Sequence, residues 1–171
     1  MYIHKKSIAE GLQAEQRFKN LAEIRGFEVR ESTKEEQFDH IDFHLTLNSP
    51  TKEGVKLKAR VDVKARKRLN RRNIDFEDEW VWIELKNVMG KDGWLYGASD
   101  FIAFEAEDSF IFSIRKELLG FCENKIDTKT RVHISSQAKY VCYSRSGRQD
   151  LISLIKMEDI KKLPNSTVWK K

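Results

Sequence analysis

An aspartate and a lysine stand two residues apart in the segment Val61-Asp62-Val63-Lys64, near the end of a run of alternating apolar residues. In a β-strand, residues two apart project from the same face, so the two charged side chains would lie side by side. The carboxylate can bind a divalent metal ion, and the ammonium group can contact an attacking water or a scissile phosphate. An ordinary same-face salt bridge is the plainer interpretation of an isolated Asp-x-Lys pair.

A second carboxylate, Asp42, lies on the polar face of the preceding predicted strand, residues 40–47. Residues 48–54 have the composition of a turn, so the two strands are predicted to form a hairpin. Asp42 then comes near Asp62 if the register allows it. Two like charges would repel each other there, and a shared Mg²⁺ would neutralise them. Two surface acids that do not meet are the alternative.

A third acid, Glu15, lies in residues 7–25, which are predicted to form a helix that begins with a capping box of Ser7 and Glu10. The predicted buried stripe of this helix consists of Ile8, Leu12, Phe18, Leu21, Ala22 and Ile24. Glu15 lies close to that stripe. A glutamate at such a position is often only a boundary residue, but it could also reach over a sheet and complete a metal site.

The remaining segments predict a single mixed domain that spans residues 1–171. Predicted strands cover residues 27–30, 40–47, 55–63, 79–88, 100–105, 109–114, 132–134, 140–145 and 151–156. Further helices are predicted at residues 115–122 and near the end of the chain. A helix followed by several strands and then by mixed elements indicates an α/β or α+β fold, with a sheet flanked by helices.

Four elements in this order resemble the PD-(D/E)xK nuclease superfamily, which includes restriction endonucleases, archaeal Holliday-junction resolvases and many phage nucleases. The resemblance covers about residues 8–68. It is carried by Gly11-x-x-Ala14-Glu15-x-x-Phe18, Gly26-Phe27-x-Val29-Arg30, Ile41-Asp42-Phe43 and Val61-Asp62-Val63-Lys64. No proline precedes Asp42, a departure that the superfamily tolerates.

The resemblance implies a restriction-endonuclease-like αβββαβ core with a mixed central sheet, and Mg²⁺- or Mn²⁺-dependent hydrolysis of DNA or, less often, RNA. Asp42 matches the first sheet carboxylate, Asp62 the acidic member of the (D/E)xK element and Lys64 its lysine. Glu15 matches the helix glutamate of the resolvase-like branch, as a further metal ligand or as the holder of a water beside the metal. A homodimer, in a bacterial or phage-infected cell, is a further implication.

Other residues offer alternatives for parts of this site. Glu84-Leu85-Lys86 also fits (D/E)xK on a predicted buried strand, in which case Asp62 becomes the first carboxylate. Asp39 is the alternative to Asp42 as the first sheet carboxylate. His40 lies on the same predicted face as Asp42 and is a possible accessory residue.

The basic charge is concentrated in one segment, residues 56–72, which holds nine lysines and arginines and a single acid, within a chain of formal net charge +5. A basic run of this kind permits binding to a polyanion. The predicted contacts to nucleic-acid phosphates are Arg66, Lys67, Arg68, Arg71 and Arg72, directly after the proposed catalytic strand. A solvated, solubilising connector is the alternative.

The composition of the chain indicates where the protein functions. No apolar stretch approaches the roughly 20 residues of a membrane span, and no secretion signal is predicted. The two cysteines do not form a disulfide framework, so a cytoplasmic setting is expected. The alternatives to a nuclease are a catalytically silent nucleic-acid-binding module of the same fold and a protein-interaction or inhibitor domain.

Overall fold

The computed structural model describes residues 2–49, 51–68 and 75–171. The described residues contain four α-helices: α1 (Tyr2–Ile24), α2 (Lys34–Phe38), α3 (Arg115–Lys125) and α4 (Met157–Lys161). They also contain ten strands: β1 (Glu28–Glu31), β2 (Phe43–Asn48), β3 (Lys56–Lys64), β4 (Trp80–Lys86), β5 (Phe101–Glu105), β6 (Ser109–Ile114), β7 (Asp127–Val132), β8 (Val141–Tyr143), β9 (Leu151–Lys156) and β10 (Thr167–Lys170). The predicted mixed α/β class is confirmed.

The strands form two mixed sheets, with orders β1-β2-β3-β5-β6-β10 and β4-β9-β8-β7. The chain divides into two compact units. The first lies within Met1–Ala65, Ala98–Phe112 and Val168–Lys171, and the second within Arg66–Gly97 and Ser113–Thr167. The single domain expected over the whole chain stays a prediction. In the described part of the chain, no helix is both long and apolar enough to cross a membrane.

The core of the first unit is aromatic and is centred on Phe18 of α1, which is fully buried. Its ring lies 5.5–5.6 Å from those of Phe43, Phe110 and Phe112, and stacks against Trp169 at 6.2 Å. Trp169 belongs to β10, a terminal strand that was not predicted. A late segment of the chain therefore completes the packing around the first helix.

Helix α1 differs from its prediction in two respects. It begins at Tyr2, so Ser7 lies inside the helix and the predicted capping box is wrong. Its buried residues are Ala14, Phe18, Leu21 and Ala22. Leu12 is 60% exposed, and Ile8 and Ile24 are exposed as well. Phe18, Leu21 and Ala22 of the predicted stripe therefore pack into the core together with Ala14.

Strands β2 and β3 form the predicted antiparallel hairpin, and β3 pairs with β5 in parallel. The apolar face of β2 is confirmed, because Phe43 and Leu45 are buried. On β3 only the half near the sheet centre is buried. Val55 and Leu57, predicted on the inner face, are exposed and lie outside the core cluster that contains Val61 and Val63.

The second unit contains the sheet β4-β9-β8-β7 together with α3 and α4. Its buried residues include Ile83, Leu118 and Ile155. The strand predicted at residues 132–134 lies earlier, as β7, because Ile134 is the residue before a short 3-10 turn (Ser135–Gln137). The two cysteines, Cys122 and Cys142, are buried and free.

Candidate active site

The Asp-x-Lys element lies where β3 enters the sheet interior. The parallel pairing with β5 places Asp62 beside Ile102 and Lys64 beside Phe104, both of which are buried. Asp62 is only 2% exposed, and its Oδ1 lies 2.7 Å from Nζ of Lys64. The two charged side chains are therefore adjacent, as the alternation of β3 predicted.

Asp42 precedes β2 and is tied directly to β3. Its backbone N–H donates to the carbonyl of Val61 at 2.9 Å, and its Oδ2 accepts from the N–H of Val63 at 2.7 Å. The last pair of the hairpin register is Phe43 with Val61, so one further step sets Asp42 opposite Asp62. The sequence did not determine the register of this hairpin. The observed register brings the carboxylates of Asp42 and Asp62 together.

The Asp62 carboxyl group is held in an unfavourable environment for its charge. Its pKa is raised to about 7, mainly by burial and also by the nearby Asp42 charge, while Lys64 opposes the shift. Its Oδ2 is buried and has no hydrogen-bond partner among the described residues. The Asp42 carboxylate is close by, but two carboxylates can share a hydrogen bond only when one of them is protonated. Asp62 thus presents a buried oxygen that lacks a cation or a donor.

Glu15 projects from α1 into the same electrostatic neighbourhood. Its pKa is raised to about 7, first by partial burial and then by the charge of Asp42, while Lys64 lowers it and Glu31 raises it. Glu31, at the end of β1, is an acid near the site that sequence reasoning missed. It stands between an arginine and a serine and offers no spacing signal that separates it from a surface residue.

His40 also lies within range of this group. Burial and the charge of Lys64 lower the pKa of its imidazole, and the charges of Asp42 and Asp39 oppose that shift. Its backbone has φ 59°, a left-handed conformation that few residues other than glycine adopt. Asp39, the fallback for Asp42, ends helix α2, and its backbone carbonyl accepts from Ala98. The carboxylate that accepts a hydrogen bond from β3 is that of Asp42.

The other candidates lie elsewhere in the chain. Glu84 and Lys86 belong to β4, in the second sheet and the second unit, so they are not on a strand next to β3. Arg66, Lys67 and Arg68 also belong to the second unit. Arg66 forms a two-pronged ion pair with Asp78 at 2.7 and 2.9 Å. The predicted contacts Arg71 and Arg72 lie outside the described residues.

Comparisons of the chain with protein-family models, with curated proteins and with solved structures find no match.

The described residues fit a divalent metal through two direct carboxylate ligands. Oxygen donors suit Mg²⁺ and Mn²⁺, and the unpartnered Oδ2 of Asp62 beside Asp42 is the kind of atom that such a cation satisfies. Within the described residues, no group of three or more His, Cys, Asp or Glu side chains is arranged to hold a metal. Glu15 on α1 lies close enough to this pair for the charges of Asp42 and Lys64 to shift its pKa.

The raised pKa of Asp62 predicts a pH-dependent stability without metal. Between its ordinary pKa of 3.8 and about 7, the folded chain binds a proton that the unfolded chain has lost, so stability falls as pH rises through this range. Asp62→Asn removes that cost and gives up the ion pair with Lys64. At pH 8 in EDTA we expect a net gain of about 1–2 kcal/mol, or roughly 2–8 °C in Tm, and little gain at pH 4. Thermal melts at both pH values measure it, and an equal gain at both would show that the carboxyl group is not desolvated.

Proposed function

We propose that this chain is a metal-dependent nuclease of the PD-(D/E)xK type, with a restriction-endonuclease-like core, that hydrolyses phosphodiester bonds in DNA. The observation that supports it best is the meeting of Asp42 and Asp62 at the hairpin of β2 and β3, with Lys64 paired to Asp62. These are the residues that the superfamily's pattern assigns to its site. A cytoplasmic location and a homodimer stay predictions.

The two aspartates would hold Mg²⁺ or Mn²⁺. Bound there, the ion supplies a water of lowered pKa and stabilises negative charge on the phosphate. The hydrogen bond from Val63 N to Asp42 Oδ2 fixes the orientation of that carboxylate before any ion arrives. Such preorganisation lowers the cost of assembling the site during the reaction.

In this proposal Lys64 stabilises charge on the phosphate, and Glu15 transfers a proton. Lys64 pairs with Asp62 at 2.7 Å, and with a metal ion held by the aspartates its ammonium group would contact the scissile phosphate. Glu15, whose pKa of about 7 lies near physiological pH, can accept a proton from the attacking water and release it afterwards.

The proposal is tested by incubating the full chain with duplex, single-stranded, flap and junction DNA in Mg²⁺, Mn²⁺ or EDTA. Cleavage of at least one substrate is expected with metal and none in EDTA. Lys64→Met should lower the cleavage rate by about 10²-fold, because a cation at the phosphate is lost. Lys170→Met, an exposed lysine of the same unit paired with Asp108, is the matched control and should cleave normally. Failure to cut any substrate with either metal would refute the proposal.

A further inference from the structure

The basic excess of the chain belongs to the second unit. Its two segments contain 18 lysines and arginines against 12 aspartates and glutamates, whereas the first unit contains 14 against 15. The proposed catalytic acids are in the first unit. The charge that attracts a polyanion is therefore carried by a different unit from the one that holds the candidate active site.

One face of the second sheet carries aromatic side chains, of which Trp80 is buried and Trp82 and Tyr143 are only partly buried. Trp80 and Trp82 alternate with the fully buried Ile83 along β4, so they share the opposite face. The register places Trp82 opposite Leu154 of β9, and β9 also pairs with β8, where Tyr143 lies. The rings of Trp82 and Tyr143 are 5.9 Å apart, and both side chains are partly buried against a small cluster around Leu154.

Two lysines lie over the ring of Trp80 on this face. Nζ of Lys139 lies 4.4 Å and Nζ of Lys156 5.5 Å from the ring centre of Trp80, and both lysines are exposed. The indole N–H of Trp82 donates to the backbone carbonyl of Arg68 at 3.4 Å, so the backbone of Arg68 lies next to this ring.

The side chain of Arg68 also stacks on an aromatic ring. The Arg68 guanidinium lies 4.1 Å from the ring centre of Phe76, which is 37% exposed. Acids are present as well: Glu84 shares the face of Trp82, and Glu79 lies 3.9 Å from Lys156. The unit retains its basic excess after these are counted.

We propose that this face of the second sheet binds unpaired DNA, with bases stacked on Trp82 and Tyr143 and phosphates contacted by Lys139, Lys156 and Arg68. Aromatic rings set among lysines and arginines match the two surfaces of a single strand, its base planes and its phosphates. A duplex keeps its base planes stacked inside and offers only phosphates to such a face. The inference rests on the proposed function, which it deepens by naming a substrate with a single-stranded portion.

The binding test uses the full chain in EDTA, so its outcome does not depend on cleavage. A fluorescently labelled oligo(dT) of roughly 12 nucleotides and a blunt duplex of equal length are titrated at fixed salt. Trp82→Leu should weaken oligo(dT) binding by at least about fivefold, and Lys139→Gln by about threefold, because a stacking surface and a phosphate contact are lost. Duplex binding by Trp82→Leu should change less than about twofold, because a duplex has no unstacked base to lose from this ring.

Two further variants separate stacking from a general loss of structure. Trp82→Phe retains a ring and should restore most of the oligo(dT) affinity, and thermal melts identify any variant that does not fold. Tyr96→Leu removes a 41% exposed aromatic residue from a 3-10 turn of the same unit and should leave binding unchanged. The proposal is overturned if folded Trp82→Leu binds oligo(dT) like the parent, if duplex binding falls equally, or if Tyr96→Leu causes the larger loss.

Discussion

Asp62→Asn is expected to lower the rate of metal-dependent DNA cleavage by about 10³-fold or more, with little change in DNA affinity measured in EDTA. Asn keeps the size of Asp62 but removes the charge that would hold the cation next to Asp42. A loss of 10³ corresponds to about 4 kcal/mol in the barrier, the scale expected when an ion that stabilises charge is no longer held. Single-turnover cleavage of a labelled substrate measures the rate, and a binding titration measures affinity.

Asp108→Asn provides the matched control for that variant. Asp108 is an exposed aspartate of the same unit that pairs with Lys170 at 2.6 Å, much as Asp62 pairs with Lys64. Its removal costs only an exposed ion pair, so cleavage should stay within about twofold of the parent. Cleavage by Asp62→Asn at the parental rate would show that the site has been assigned to the wrong residues.

Phe18→Ala is expected to destabilise the first unit by about 3–5 kcal/mol, which lowers its Tm by roughly 6–20 °C. The ring is fully buried and contacts four other aromatic rings, so its removal leaves a cavity that rigid neighbours cannot fill. Helix α1 also carries Glu15, and a loosened helix should reduce cleavage along with stability. Chemical denaturation measures the free energy of unfolding.

Leu12→Ala on the same helix is the control for the core variant. The apolar pattern of the sequence places Leu12 in the buried stripe, whereas the structure leaves it 60% exposed. The expected change is below about 0.5 kcal/mol, as for other exposed substitutions. A loss comparable to that of Phe18→Ala would mean that Leu12 packs into a core and that the helix face is assigned incorrectly.

Local patterns were sufficient for the catalytic strand. Alternation along β3 placed Asp62 and Lys64 on one face, and the turn between the two strands predicted the hairpin that carries Asp42. The register was not predictable, because the intervening turn allows several pairings and a shift of one residue reverses every side chain. The hydrogen bond from Val63 to Asp42 shows which pairing the chain adopts.

Features that depend on distant contacts were not accessible from the sequence. Apolar residues of α1 lie on more than one face: Leu12 is roughly 160° around the helix from Ala14, at about 100° per residue. The face that is buried is the one that packs against the aromatic residues of the sheet, including Trp169 near the end of the chain. In the same way, nothing local in the Glu84-x-Lys86 strand shows that it joins the second sheet instead of pairing with β3.

The raised pKa values of Asp62 and Glu15 also arise from packing. They depend on burial and on charges brought together from α1, β3 and the segment before β2. Sequence reasoning identified the acids but could not tell a solvated carboxylate from a desolvated one.

The site is tested most directly by soaking crystals in Mn²⁺ and recording anomalous diffraction at the manganese edge. The expected result is a peak about 2.2 Å from an oxygen of Asp42 and from Oδ2 of Asp62, with Lys64 beside it. Absence of a peak there, with Asp62 still paired only to Lys64, would contradict a metal-dependent nuclease at this site.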